Sequence, residues 1–139
     1  MIDQLLEFSQ NHPLLVTGVI ATWLAVMIYE IRLKSQGFTH VSATDAVRLI
    51  NKGAVVVDVR NAEEYRAAHI VNAKNIQPSE LEDPSLVTKY KNRVVVTVCN
   101  NGMTSNKAAN QLRKAGVSQA FSLRGGLAGW RNDKLPLAK

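Results

Sequence analysis

The chain has 139 residues, 46% hydrophobic and 20% charged, which suits one domain of roughly 100 residues plus an appendage. Its single cysteine excludes an intramolecular disulfide and a cysteine-rich zinc site, and His12, His40 and His69 have no metal-ligand spacing. The formal net charge is +6, yet all 17 Lys and Arg residues and nine of the 11 acidic residues follow residue 29, giving that part +8. These charges are dispersed, without the basic stripe of a nucleic-acid footprint. No nucleic-acid partner, metal or cofactor is expected, whereas a basic domain beside an anionic membrane surface fits.

Residues 1–12 form a short acidic amino-terminal segment, followed by residues 13–29 without a charge. Eight residues in that stretch are Leu, Ile or Val, which together favour insertion by about −2 to −5 kcal/mol. Pro13 suits a first helical position, and Tyr29 stands where an interfacial aromatic belongs. A cleaved signal peptide would need a basic start and a small-residue cleavage site, and neither is present. A buried core helix would normally show a polar face, which is missing for four turns. Residues 13–31 are therefore expected to form one transmembrane helix, with residues 32–38 as a linker. Arg32 and Lys34 follow the span and no Lys or Arg precedes it, so the positive-inside rule puts the amino terminus outside and the large domain in the cytoplasm. Gly18, Thr22 and Ala25 lie at helix-packing spacing; the oligomeric state stays open.

In the remaining residues, 39–137, strands and helices alternate. Ser42-Ala-Thr-Asp45 opens a helix as a capping-box variant, burying Ala46, Leu49 and Ile50 and ending near Gly53. Residues 54–60, AVVVDVR, read as a strand covered on both faces. Residues 63–68 suggest a short helix, 73–76 a small strand and 85–90 a further helix. Residues 94–98 form a β-branched strand that ends at Cys99, and residues 105–115 form a helix stopped by Gly116. Residues 120–123 give a last strand, followed by Gly125-Gly126 and a helical turn near Trp130. This alternation predicts an α/β domain with a central, mostly parallel sheet flanked by helices.

In such a sheet, ligands bind beyond the carboxyl ends of the strands, where Cys99 stands. A strand, a tight turn around Gly102 and a helix start turn backbone N–H groups toward one point. Together with the helix dipole, they favour a thiolate and would hold an anion bonded to it. A lone Cys at a strand end is usually a small core hydrophobe, and it is the loop that raises this one above that reading.

The ordered set Asp58-Val-Arg60, Glu64-Tyr65, His69-Ile70, Asn75-Ile76, Cys99-x-x-Gly102-x-Thr104-Ser105 and Gly125-Gly126-x-x-x-Trp130 closely resembles a single rhodanese domain. The match spans residues 39–136. With one amino-terminal span, the chain is similar to membrane-anchored rhodanese-like proteins of the bacterial inner membrane. The resemblance implies a sulfurtransferase in which Cys99 accepts sulfane sulfur as a persulfide and passes it to a thiol, cyanide or protein acceptor. Its donor would be thiosulfate or a polysulfide. The backbone of Asn100, Asn101, Gly102, Met103, Thr104 and Ser105 would bind the persulfide or substrate anion, helped by the Thr104 and Ser105 hydroxyls. Lys107 and Arg124 would add long-range positive charge.

Two departures stand out. Ala68-His-Ile-Val-Asn72-Ala73 replaces a common Gly-His-Ile-Pro-Gly-Ala, and Thr104 stands where many members carry Arg. Related phosphatases place an Arg where this chain has Ser105, and without it a phosphoryl transition state lacks its clamp. A weakly active or non-catalytic binding module is the alternative. Asp58 and Arg60 are expected in supporting roles, Asp58 tying loop backbone and Arg60 pairing with Glu63 or Glu64. His69 is expected to be a hydrogen-bonded structural residue, Gly125 and Gly126 to permit close backbone approach, and Trp130 to be core.

Overall fold

The computed structural model divides into two units, Met1–Gly37 and Phe38–Lys139, and describes residues 2–37 and 39–139. In the first unit, helix α1 (Ile2–Asn11) is followed by α2 (Pro13–Gly37). Pro13 opens α2, where its missing N–H costs nothing. The Thr17 hydroxyl donates to the Pro13 carbonyl and that of Thr22 to the Gly18 carbonyl, each at 2.8 Å. These bonds satisfy the hydroxyls of both threonines within the helix itself. Residues 13–32 are long and apolar enough to cross a membrane; at 1.5 Å per residue those 20 residues reach about 30 Å, one hydrocarbon thickness. More than half of the surface of Leu14, Val19, Trp23 and Ile28 is exposed, so α2 is not a core helix. The helix also continues through residues 32–37, which the sequence reading assigned to a linker. No proline interrupts this stretch, and Gly37 is its first strong helix breaker. Phe38, the last residue of that expected linker, lies outside the described residues.

The second unit is built on a five-stranded sheet in the order β1-β6-β5-β2-β4, every pair parallel. Its strands are β1 (His40–Val41), β2 (Val55–Asp58), β4 (Lys74–Asn75), β5 (Val95–Val98) and β6 (Ala120–Leu123). Two further strands, β3 (His69–Ile70) and β7 (Leu137–Ala138), form a separate antiparallel pair. The helices are α3 (Ala43–Asn51), α4 (Ala62–Ala67), α5 (Pro84–Tyr90), α6 (Met103–Ala115) and α7 (Gly126–Asn132), with a 3₁₀ turn at Pro78–Glu80.

Successive valines of β2 and β5 enter two different cores. Val57 and Val95 pack with Leu81, Tyr90, Ala108 and Leu112, while Val56, Val96 and Val98 pack with Ala46, Ile70, Leu127 and Trp130. A strand buried on both faces is apolar at nearly every position, which accounts for the valine runs; the buried exceptions, Asp58 and Thr97, are hydrogen-bonded. Ser42 caps α3, its hydroxyl accepting from the Asp45 N–H at 3.1 Å. Ala46 is buried as expected, but Leu49 and Ile50 are only half-buried against the second core. The two-residue strands β1, β3 and β7 escape the sequence reading because two residues establish no period. At Asn72, which the resemblance sets against a common Gly, φ is 62°. Asn is among the non-glycine residues that tolerate this left-handed conformation best, so the turn survives the loss.

Asp58 and Arg60 leave β2 as a buried ion pair, with side chains 1% and 4% exposed. Arg60 Nη2 donates to Asp58 Oδ2 at 2.6 Å and Nε to Oδ1 at 2.9 Å. The expected pairing of Arg60 with Glu63 or Glu64 is thus corrected: a guanidinium buried this deeply needs a partner of equal burial, and Asp58 supplies it. Asp58 also accepts the Arg60 backbone N–H at 3.0 Å, the loop-tying role expected of it. Replacing Asp58 by Ala would strand a buried cation, so Asp58→Ala should lower unfolding stability by about 3–5 kcal/mol, measured by denaturant titration of the full chain in detergent.

Candidate active site

β5 delivers Cys99 to the carboxyl edge of the sheet, between two neighbouring parallel strands. The turn after it closes at Gly102, whose φ of 94° suits a residue without Cβ, and α6 then starts at Met103. The helix therefore begins two residues earlier than the expected residue 105, and Ser105 falls in its first turn. This start brings the Gly102 N–H within 3.1 Å of the Cys99 Sγ. The Ser105 hydroxyl lies 3.3 Å from the same sulfur.

Cys99 is 4% exposed, and burial by itself raises a thiol's pKa. Against that act the Ser105 hydroxyl and the backbone N–H groups of Ser105, Asn101 and Gly102, which together hold the Cys99 thiol below its ordinary value. The start of α6 aims its unpaired N–H groups and dipole the same way. The sulfur is therefore prepared for its anionic form.

Other turn residues hold this arrangement. Asn101 Oδ1 accepts from the Met103 N–H at 3.0 Å, capping α6. The Asn100 amide donates to Glu64 Oε1 at 2.6 Å and accepts from Arg60 Nη1 at 3.4 Å. The carbonyls of Cys99 and Asn100 accept from the N–H groups of Leu127 and Ala128 at 2.8 and 3.0 Å. These bonds draw the carbonyls toward α7 and leave the N–H groups for the sulfur. Gly126 makes this possible: a Cβ there would lie 2.7 Å from the Asn100 carbonyl carbon and the Asn101 nitrogen.

Met103 and Thr104 are exposed at the start of α6. Arg124 borders a depression of about 420 Å³ together with His40, Asn101, Met103 and Asn106, beside the turn. Of the residues proposed from the sequence, Asn101, Gly102 and Ser105 meet the Cys99 sulfur; Asn100, Met103 and Thr104 share its turn or the start of α6, and Asp58, Arg60 and Arg124 make no bond to it. His69 accepts its expected structural role, Nδ1 lying 2.9 Å from the Tyr65 carbonyl with the two rings stacked. Trp130 is buried, and its indole N–H donates to the Pro136 carbonyl.

The sequence reading did not single out the partners behind the turn. Glu64 enters from the sequence only as part of the Glu64-Tyr65 motif and as an alternative partner for Arg60, yet it holds Asn100. Ser122 on β6 lies 2.9 Å from Ser105, hydroxyl to hydroxyl, and Thr97 on β5 donates to the Ser105 carbonyl at 2.8 Å. The available signal was a polar residue inside an otherwise apolar strand: a buried hydroxyl needs a partner.

Residues 42–133 match the rhodanese-like domain family. The chain belongs to that family. Along 99% of both chains it is 35% identical to the uncharacterized protein YibN of Escherichia coli strain K12. It is 30% identical to the thiosulfate sulfurtransferase GlpE of Actinobacillus pleuropneumoniae, covering 74% of this chain and 95% of that one. Among solved structures, the human single-domain sulfurtransferase TSTD1 is 27% identical and superimposes with a TM-score of 0.58, covering 68% of this chain and 96% of that one.

The lowered thiol sets a pH dependence with a definite sign. Only the thiolate is alkylated, so the iodoacetamide rate should rise with pH and level off at a lower pH than for free glutathione. Ser105→Ala removes one donor and should move the midpoint upward by about one unit.

Proposed function

We propose that this protein is a sulfurtransferase that carries sulfane sulfur as a persulfide on Cys99. The observation that carries the reading is the convergence of the Gly102 N–H and the Ser105 hydroxyl on one buried sulfur. In the first half-reaction the Cys99 thiolate attacks the outer sulfur of thiosulfate. A Cys99 S–S bond forms, the donor's S–S bond breaks, and sulfite leaves with that bonding pair. A polysulfide would react in the same way and leave one sulfur shorter. The terminal persulfide sulfur carries the negative charge, and the N–H groups of residues 100–105 stabilise it. A thiolate, cyanide or a protein cysteine then attacks the outer sulfur and returns Cys99 to its thiolate. No general base is required, because the nucleophile is already held toward its anionic form.

Two features shape the choice of donor. Thr104 offers a hydroxyl and no guanidinium, so anion binding falls to backbone N–H groups and to the positive Arg124 beside the turn. The depression bordered by His40, Met103 and Arg124 gives a small donor or an acceptor thiol an approach alongside α6.

We place the enzyme at a membrane through the apolar helix, residues 13–32. The exposed faces of Leu14, Val19, Trp23 and Ile28 are covered when surrounded by lipid. Arg32 and Lys34 at its end orient the amino terminus outward and the rhodanese-like domain into the cytoplasm of a bacterial cell. A reducing compartment also protects a functional lone thiol.

Incubation with thiosulfate or polysulfide, followed by intact-mass measurement, should add the mass of one sulfur atom to the native chain and none to Cys99→Ser. No adduct with either donor would refute the enzyme and favour a binding module. Carbonate extraction of membranes should leave the full-length protein in the pellet, and its release would overturn the spanning helix.

A further inference from the structure

We infer that Ser122, on β6, is a positioning residue that directs the Ser105 hydroxyl at the Cys99 sulfur. The inference rests on the reading of Cys99 as the nucleophile. Cys99, Ser105 and Ser122 form a linear chain: Sγ to Oγ at 3.3 Å, then Oγ to Oγ at 2.9 Å. Ser105 and Ser122 are both fully buried, so water does not substitute for a missing partner. Among the described residues, the Ser122 hydroxyl is hydrogen-bonded to Ser105 alone.

Counting protons decides how the chain is oriented. With a thiol, three protons, one on sulfur and two on the hydroxyls, compete for two short links. The third is then either the sulfur's, with only Asn101 Oδ1 at 3.8 Å to turn to, or that of the Ser122 hydroxyl, with no acceptor besides Ser105 among the described residues. With a thiolate, two protons fill the two links: Ser122 donates to Ser105, and Ser105 donates to the sulfur. The proton lost from sulfur passes to solvent, and each remaining hydroxyl hydrogen has an acceptor. An unpaired buried donor is costly, so the thiolate form is the one in which the buried chain is fully satisfied. Ser122 thereby acts through Ser105 without touching the sulfur.

Neutral groups build this chain. The charged or titratable side chains on the elements around the turn include His40 on β1, Asp58 at the end of β2, Arg60 after it, Glu64 on α4, Lys107 on α6 and Arg124 before α7. None of them hydrogen-bonds the sulfur. Arg60 and Glu64 instead meet Asn100, so loss of the Ser122 hydroxyl leaves their contacts in place.

The test is the pH profile of iodoacetamide alkylation of the full-length protein in detergent, where Cys99 is the sole thiol. Ser122→Ala should raise the midpoint by about half to one unit, slowing alkylation on the acid side by about 3- to 10-fold. In a Ser105→Ala background the same change should have no further effect, because the connecting hydroxyl is gone. Ser122→Thr and Ser122→Val match each other in shape and differ in the hydroxyl, so they separate hydrogen bonding from packing and serve if Ser122→Ala does not fold. Thr should retain the native midpoint and Val should raise it. A Ser122→Ala midpoint coincident with the native one, an undiminished shift in the Ser105→Ala background, or equal midpoints for Thr and Val would overturn the inference. Alkylation reads the thiol whether or not a sulfur donor loads it. A Ser122-dependent midpoint without any persulfide adduct would therefore refute the sulfurtransferase reading alone.

Discussion

A Cβ on Gly126 would sit 2.7 Å from both the Asn100 carbonyl carbon and the Asn101 nitrogen, so two stretches of backbone touch there with no side chain between them. The contact lets the Leu127 and Ala128 N–H groups reach the carbonyls of Cys99 and Asn100. Once those carbonyls are bound on the α7 side, the peptide planes present their N–H edges to the sulfur. Gly102 then turns through its left-handed conformation into α6. Preorganised donors of this kind stabilise an anion without reorganising as its charge develops. A residue with a side chain at 126 would push the turn outward and separate the sulfur from its donors.

The opposite flank is held by polar groups whose burial has to be justified. Asp58 and Arg60 neutralise each other beneath the sheet edge, and Arg60 donates further to the Ala68 carbonyl at 2.8 Å and to Asn100. Asn100 in turn donates to Glu64. Asn100, the residue after Cys99, is thus bound through both ends of its amide, so the turn has little freedom to slide along the sheet edge. A buried ion pair contributes little net stability compared with an apolar substitute. Here it ties α4 to the turn.

The two flanks and the hydroxyl chain beneath divide the work. Backbone from α7 orients the peptide planes, the ion-pair network fixes the lateral position, and Ser105 with Ser122 supplies side-chain donors from below. Met103, Thr104 and Arg124 are exposed around the rim and take no part in these contacts with the sulfur.

Much of this was legible in the sequence by itself. Unbroken valine runs require a sheet covered on both faces, and a cysteine at the end of one such run, followed by Gly102 and a helix, locates the turn that gathers donors around the sulfur. The motifs from Asp58 to Trp130 identify the family, and residues 13–29 without a charge mark the apolar helix. All of these are local patterns, carried by neighbours in the chain. Tertiary structure decided the partners. Arg60 chose Asp58 over Glu63 and Glu64 because burial, not spacing, selects the counterion. Ser122 met Ser105 only because β6 lies beside β5 in a parallel sheet. The chain separates these two hydroxyls by 17 residues, and nothing in a linear pattern says that they share a proton chain ending at Cys99.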